Sequence, residues 1–223
     1  MKLKKCGELS FLLGVILLSF ATTLMSKANL GMGMVVAPAY VLAEKIGFIP
    51  TGVMCYICQG FLLVVTTLMM GRFKISYLFS FLSAVLFGFG VDFFTDVCFF
   101  WIVDPSLWQR VLLLALAIPV NSLSIAFLFH TYLPPQAPEF FVKEFAAKFG
   151  KEVYKIKYIY DLCSCVLSIV MSLLFFRKLV FIGVGTIVSS LVNAPLIGLF
   201  GKGLDKIGDY SPRFPRLARL FEK

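Results

Sequence analysis

Charge is scarce in this chain, and histidine nearly absent. Only 15% of residues are Asp, Glu, Lys or Arg and His130 is the single imidazole, against roughly a quarter charged in soluble domains. With one histidine, no paired carboxylates at hydrolase spacing, no Ser-x-x-Lys and no His-Glu-x-x-His, no familiar catalytic kit can be assembled. An enzyme is therefore not expected. Gly31-Met32-Gly33 lacks the spacing of a nucleotide-binding loop and follows no strand, so no phosphate cradle is expected there. The six cysteines include Cys55-x-x-Cys58 and Cys163-x-Cys165, but both pairs sit in apolar runs without a second metal-binding half and read as small apolar side chains. No metal and no cofactor are expected.

What fills the chain instead is hydrocarbon. Hydrophobic residues make up 60% of it and the mean hydropathy is +0.92, more apolar surface than a soluble core of this size can hide. Uncharged runs extend over Leu9–Ser26, Ile46–Gly71, Ile75–Val91, Val111–Ala137, Leu162–Phe176 and Leu179–Gly201. Each lies near the 17–25 residues that a helix needs to cross a bilayer. None alternates as barrel strands do. The spacing predicts an all-α integral membrane protein of about six transmembrane helices, a single membrane domain over 1–201 with a basic tail over 202–223. The first span follows Lys2, Lys4 and Lys5 as a secretory signal would, but its apolar run exceeds the usual signal core and it is expected to be retained.

Lys27, Lys45, Arg110, Arg177 and Lys178 fall on one side of a six-span path, and the other sixteen of the 21 basic residues fall on the opposite side. By the positive-inside rule, both termini are expected in the cytoplasm and the protein in a bacterial inner membrane. Anionic lipid of the inner leaflet accounts for the net charge of +9, so no nucleic-acid partner is expected. Trp101 and Trp108 are expected at the outer interface, where indole rings settle.

Two short segments break the apolar pattern. Ala37-Pro38 opens one that closes at Gly47, and Ala137-Pro138 opens another that closes at Gly150; proline near the start and glycine past the end mark helix boundaries. In the second, Phe141, Phe145 and Phe149 share a face, while Glu139 with Lys143 and Glu144 with Lys148 stand at i, i+4. Each short helix is expected to be interfacial, re-entrant or tucked into the bundle. The order of span, Pro-started helix, span, basic turn and span occurs over about 9–101 and again over about 108–201. Three spans per unit would make the copies inverted repeats, an arrangement recurrent in secondary transporters.

Leu30-Gly31 leading to Pro38, Pro138 with Asp161 following in the fifth span, and Gly183-Val184-Gly185-Thr186 followed by Ala194-Pro195 resemble the YczE/YitT-like bacterial polytopic membrane proteins, particularly the YczE branch. The resemblance covers the chain from its first span to its sixth. The sequence differs from that pattern at Leu133-Pro134-Pro135-Gln136-Ala137-Pro138 and at Phe175-Phe176. The family has no established general function, so the resemblance implies a polytopic bundle and no ligand.

Polar residues inside apolar spans are expensive and point to function. Asp161 and Asp92 read either as interfacial or Lys-paired groups, or as a cation, proton or substrate-amine site. Gln59, Asn121 and Asn193 read as interhelical hydrogen-bonding groups. Asn121 follows Pro119 and Asn193 precedes Pro195, and a proline within a helix frees a carbonyl. The expectation is that Asp161, Asn121 and Asn193 border one cavity, with Gly183 and Gly185 permitting close helix approach. The best-supported role is a small-solute transporter or the substrate-binding membrane subunit of one. Its substrate would be a small molecule or ion, and membrane or ATPase partner subunits would energise it. The alternative is a non-catalytic membrane scaffold or export helper.

Overall fold

The computed structural model describes residues 3–71, 73–211 and 221. Lys2, Arg72, Arg213, Arg216, Arg219 and Lys223, counted above for orientation, lie outside the described residues. Helices dominate: α1 (Gly7–Ala28), α2 (Ala37–Ile46), α3 (Thr51–Met70), α4 (Ile75–Phe93) continued by a π turn (Phe94–Cys98), α5 (Leu107–Phe129), α6 (Ala137–Phe149), α7 (Val153–Phe176) and α8 (Val184–Ile207). Two four-residue strands, β1 (Leu3–Cys6) and β2 (Gly208–Ser211), pair in parallel.

Six helices, α1, α3, α4, α5, α7 and α8, are long and apolar enough to span a bilayer. They carry large apolar side chains outward, among them Phe61, Leu68, Phe89, Leu116, Leu174 and Leu199. A surface of this kind is stable against lipid and not against water. The protein is a multi-pass helical membrane protein. Trp101, after the π turn, and Trp108, in the first turn of α5, are both exposed.

Local chemistry explains where the helices stop. Gly47, Gly71 and Gly150 close α2, α3 and α6 in the left-handed conformation, which glycine adopts without a Cβ penalty. Pro38 and Pro138 sit in the first turns of the two short helices, where their missing N–H breaks no ladder. The prolines within spans behave differently from that simple rule: α5 continues through Pro119 and α8 through Pro195. The sixth span also runs beyond the expected boundary at residue 201, since α8 ends at Ile207.

At the centre α1 lies along α5. Ser10 donates to the Phe127 carbonyl at 3.0 Å and Thr131 to the Gly7 carbonyl at 2.9 Å, so the two helices are tied at one end. Around this pair the short helices change sides: α2 packs on α7 as well as α3, and α6 packs on α3 as well as α7. The loop after α1 meets the start of α8, where Gly185 N–H donates to the Leu30 carbonyl at 2.8 Å and Thr186 Oγ1 to the Met32 carbonyl at 2.7 Å. A Cβ on Gly183 would stand 2.1 Å from the Leu30 oxygen, which is why glycine is needed there. The loop after α5 meets α4, where Ser80 and Ser83 donate to the carbonyls of Pro135 and Pro134, each at 2.7 Å.

The short helix α6 is tucked inward rather than laid on the surface, with Ala137, Pro138, Glu139, Phe140, Val142 and Ala146 buried. Its expected i, i+4 ion pairs do not form. Glu139 turns to Lys157, Lys143 donates to the Thr131 carbonyl at 2.5 Å, Glu144 pairs with Lys74 at 3.4 Å and Lys148 reaches the Met69 carbonyl. Each charge finds its partner off the helix: burial leaves Glu139 no water to share, whereas the half-buried Lys143 and Glu144 and the exposed Lys148 meet groups that the packing brings close. The aromatic face holds, with Phe141, Phe145 and Phe149 stacked in succession.

Candidate functional site

Helix α7 begins at Val153, ahead of the uncharged run, and so carries Lys157 as well as Asp161, which was already expected in the fifth span. One turn apart, they share a face. Lys157 Nζ lies 2.8 Å from Asp161 Oδ1 and 3.3 Å from Glu139 Oε1, which α6 brings from the side. Burial is complete for the first two, both 0% exposed, and nearly so for Glu139 at 4%. The Lys157 ammonium also lies 5.4 Å from the centre of the Tyr160 ring, a cation–π contact that helps to hold it out of water.

Two carboxylates and one ammonium thus occupy a dry space. A single buried pair barely recovers its desolvation cost even with good geometry, and here one negative charge has no cation of its own. Asp161 Oδ2 meets no donor among the described residues. This is an unusual arrangement for a purely structural contact.

Beside the cluster is a cavity of about 60 Å³. Leu18, Thr22, Met25 and Ser26 of α1, the 32–36 loop, Phe87 of α4, Asn121 and Ile125 of α5, Gln136 and Glu139 at the start of α6, and Asn193 of α8 form its walls. Glu139 is the residue common to cavity and cluster. Asn193 Oδ1 accepts from Ser122 at 2.5 Å, and neither its amide nitrogen nor that of Gln136 has a partner among the described residues. Both side chains are more than nine-tenths buried, at 1% and 6% exposure. Unpaired buried amides call for water or a polar ligand, since each costs about 1–3 kcal/mol if left alone.

Of the residues singled out in the sequence, Asn121 and Asn193 line the cavity, and Asp161 joins it through Lys157 and Glu139. Gln59 stands apart on α3, its amide oxygen buried and without a partner among the described residues. Asp92 is exposed near the end of α4 and takes no part in the cavity. Pro119 and Pro195 flank the two asparagines in sequence, while Pro38 and Pro138 set the starts of α2 and α6. Glu139, Gln136 and Lys157 were not singled out as site residues. The signal for Lys157 was its i, i+4 spacing from Asp161 within an otherwise apolar stretch; Glu139 and Gln136 had none, because only tertiary packing turns them inward.

The remaining polar groups are accounted for elsewhere. His130 caps α5 and contacts Asp205 at 3.0 Å. All six cysteines are free, and among the described residues no His, Cys, Asp and Glu gather into a metal-binding group.

Residues 5–202 match a family of unknown function (DUF6198), and the chain belongs to that family. No curated protein and no solved structure matches it.

Proposed function

We propose that this member of the DUF6198 family is a small-solute transporter of the cytoplasmic membrane, or the substrate-binding membrane subunit of one. The observation that carries the reading is the cavity between α1, α4, α5, α6 and α8, partly open and mostly apolar, into whose wall Asn121, Asn193, Gln136 and Glu139 are set, with the ion cluster reached through Glu139. Burying charge inside a lipid-facing bundle costs about 2.5–3.5 kcal/mol per group even on the lenient insertion scale. A protein that only held others together would gain nothing from it.

The crossed packing adds support. If α1–α4 are exchanged in order with α5–α8, the contact of α2 with α7 becomes that of α6 with α3, and the loop contact at α8 becomes the one at α4. This fits two three-span repeats of opposite orientation, with the cavity at their interface as in carriers that work by alternating access. The positive-inside distribution puts both ends in the cytoplasm, and the YczE/YitT resemblance fits a bacterial inner membrane.

Size narrows the cargo. About 60 Å³ holds about four waters, far below the 300–1,000 Å³ of pockets for drug-sized ligands. A small ion or a solute of few heavy atoms is the cargo this volume suits best. Purified protein in liposomes should exchange small monovalent cations across the bilayer, or copurify with an energising ATPase subunit. Absence of both, with a stable non-enzymatic partner retained, would favour the scaffold role instead.

A further inference from the structure

We infer that Glu139 and Asp161 share one exchangeable proton, and that a monovalent cation entering the cavity displaces it. The inference rests on the transport reading for its purpose but not for its test.

The charge count comes first. With Lys157 as an ammonium, the cluster is neutral when one of the two carboxyl groups is protonated and carries one net negative charge when neither is. Its residues are 0–4% exposed, and an uncompensated charge in such surroundings is far costlier than a proton. Among the described residues no other ionised group compensates it. Helix α7 contributes Lys157 and the Tyr160 phenol, α6 contributes Glu139, and α2 and α8 bring no interacting ionisable side chain against Asp161. Elsewhere on α6, Lys143 is committed to the Thr131 carbonyl and Glu144 to Lys74.

Position then separates the two carboxyls. Asp161 is the deeper, one helical turn from Lys157 and held at 2.8 Å; Glu139 is the looser contact at 3.3 Å and is the one that faces the cavity. The Asn193 and Gln136 amides and the Asn121 side chain surround the same space. The free atoms of Asn193 and Gln136 are amide nitrogens, which donate; a half-turn of each amide exchanges nitrogen for oxygen at no change of shape, and amide oxygens with the Glu139 carboxylate are hard ligands suited to a small monovalent cation that keeps part of its water. The orientation of each amide depends on what occupies the cavity.

The exchange balances. In the proton-loaded state one carboxyl O–H bond is intact and the cluster is neutral. As the cation arrives at Glu139, that O–H bond breaks, its electron pair stays on the carboxylate, and the proton leaves with cavity water. Lys157 remains an ammonium beside Asp161, the cation neutralises Glu139, and the total charge is again zero. No electron is transferred. The stoichiometry that follows is one proton against one cation.

The test uses the full-length protein in detergent, in weakly buffered choline chloride with a pH indicator. Sodium, potassium or methylammonium chloride is substituted for choline at constant ionic strength. At least one of the three should release, saturably, about one proton per chain, the count set by two carboxyls sharing one lysine. Glu139→Gln and Asp161→Asn should each abolish the release, whereas Asp92→Asn, remote and exposed, should behave as wild type. In the wild-type protein alone, the infrared carbonyl band of a protonated carboxylic acid should fade on cation addition, which keeps the question open to experiment if either variant fails to fold. No release with any of the three cations, or release that survives both substitutions, overturns the exchange. Flux in liposomes without proton release would also overturn it while leaving the carrier reading intact, and release without flux would do the reverse.

Discussion

Lys157 is the residue on which the site turns. Replacing it by methionine preserves the shape of the side chain but leaves Glu139 and Asp161 together without a cation. Loss of one partner from a buried ion pair typically costs about 3–5 kcal/mol, so Lys157→Met should melt far below wild type in detergent, and adding Asp161→Asn should restore much of the loss. If the single variant melts with wild type, the triad is not buried as described. Two glycines offer an opposite pair of outcomes. Gly183→Ala drives a Cβ into the Leu30 carbonyl and should cost at least the ~1–3 kcal/mol of an overpacked core. Gly203→Ala, in α8 with open space around it, should stabilise by about 0.5–1 kcal/mol through helix propensity. Thermal melts of both variants in one detergent check the contrast.

Among the elements, α6 is the one whose behaviour was least legible beforehand. Its limits were written in Pro138 and Gly150, and its aromatic face in Phe141, Phe145 and Phe149. Its charges were not legible, since i, i+4 spacing says which residues are neighbours on a solvated helix and nothing about a buried one. The spans were readable because hydrocarbon demands long uncharged runs, and that rule placed Asp161 early in the fifth span without saying that α7 starts at Val153 and takes Lys157 in with it. Only the partnership with Glu139 explains how Lys157 and Asp161 enter the bundle. Asn121 and Asn193 stood out as polar groups in apolar runs, but that they meet across a cavity depends on α5 and α8 packing together. Burial pushes the Lys143 amine on α6 down to about 8 from its ordinary 10.5, against the opposing pull of Glu144. Lysine in the unfolded chain keeps its proton more tightly, so the penalty is fully present below pH 8 and is relieved as pH rises toward 10.5. Melting temperature should therefore climb across that window, and Lys143→Met should flatten the climb.

For the whole molecule, the apolar girdle and the asymmetry of basic residues make a topological claim. In a cysteine-free background, a cysteine placed at Lys151 should react with a membrane-impermeant maleimide only from the cytoplasmic side, and one placed at Lys178 only from the opposite side. Labelling of both from the same face would remove one span and with it the proposed inverted arrangement of the halves.

The exchange of short helices between the halves also bears on biogenesis. Helix α2 rests on α7, a segment made about a hundred residues later, which at 5–20 residues per second is a delay of about ten seconds. During that interval the amino-terminal half sits in the membrane with the α7-facing side of α2 uncovered, dependent on the insertion machinery or on lipid for shelter. Ribosome stalling or truncation between Gly150 and Phe176 should consequently yield a fragment that quality-control proteases clear, whereas two separately synthesised halves would have to find each other before either could mature.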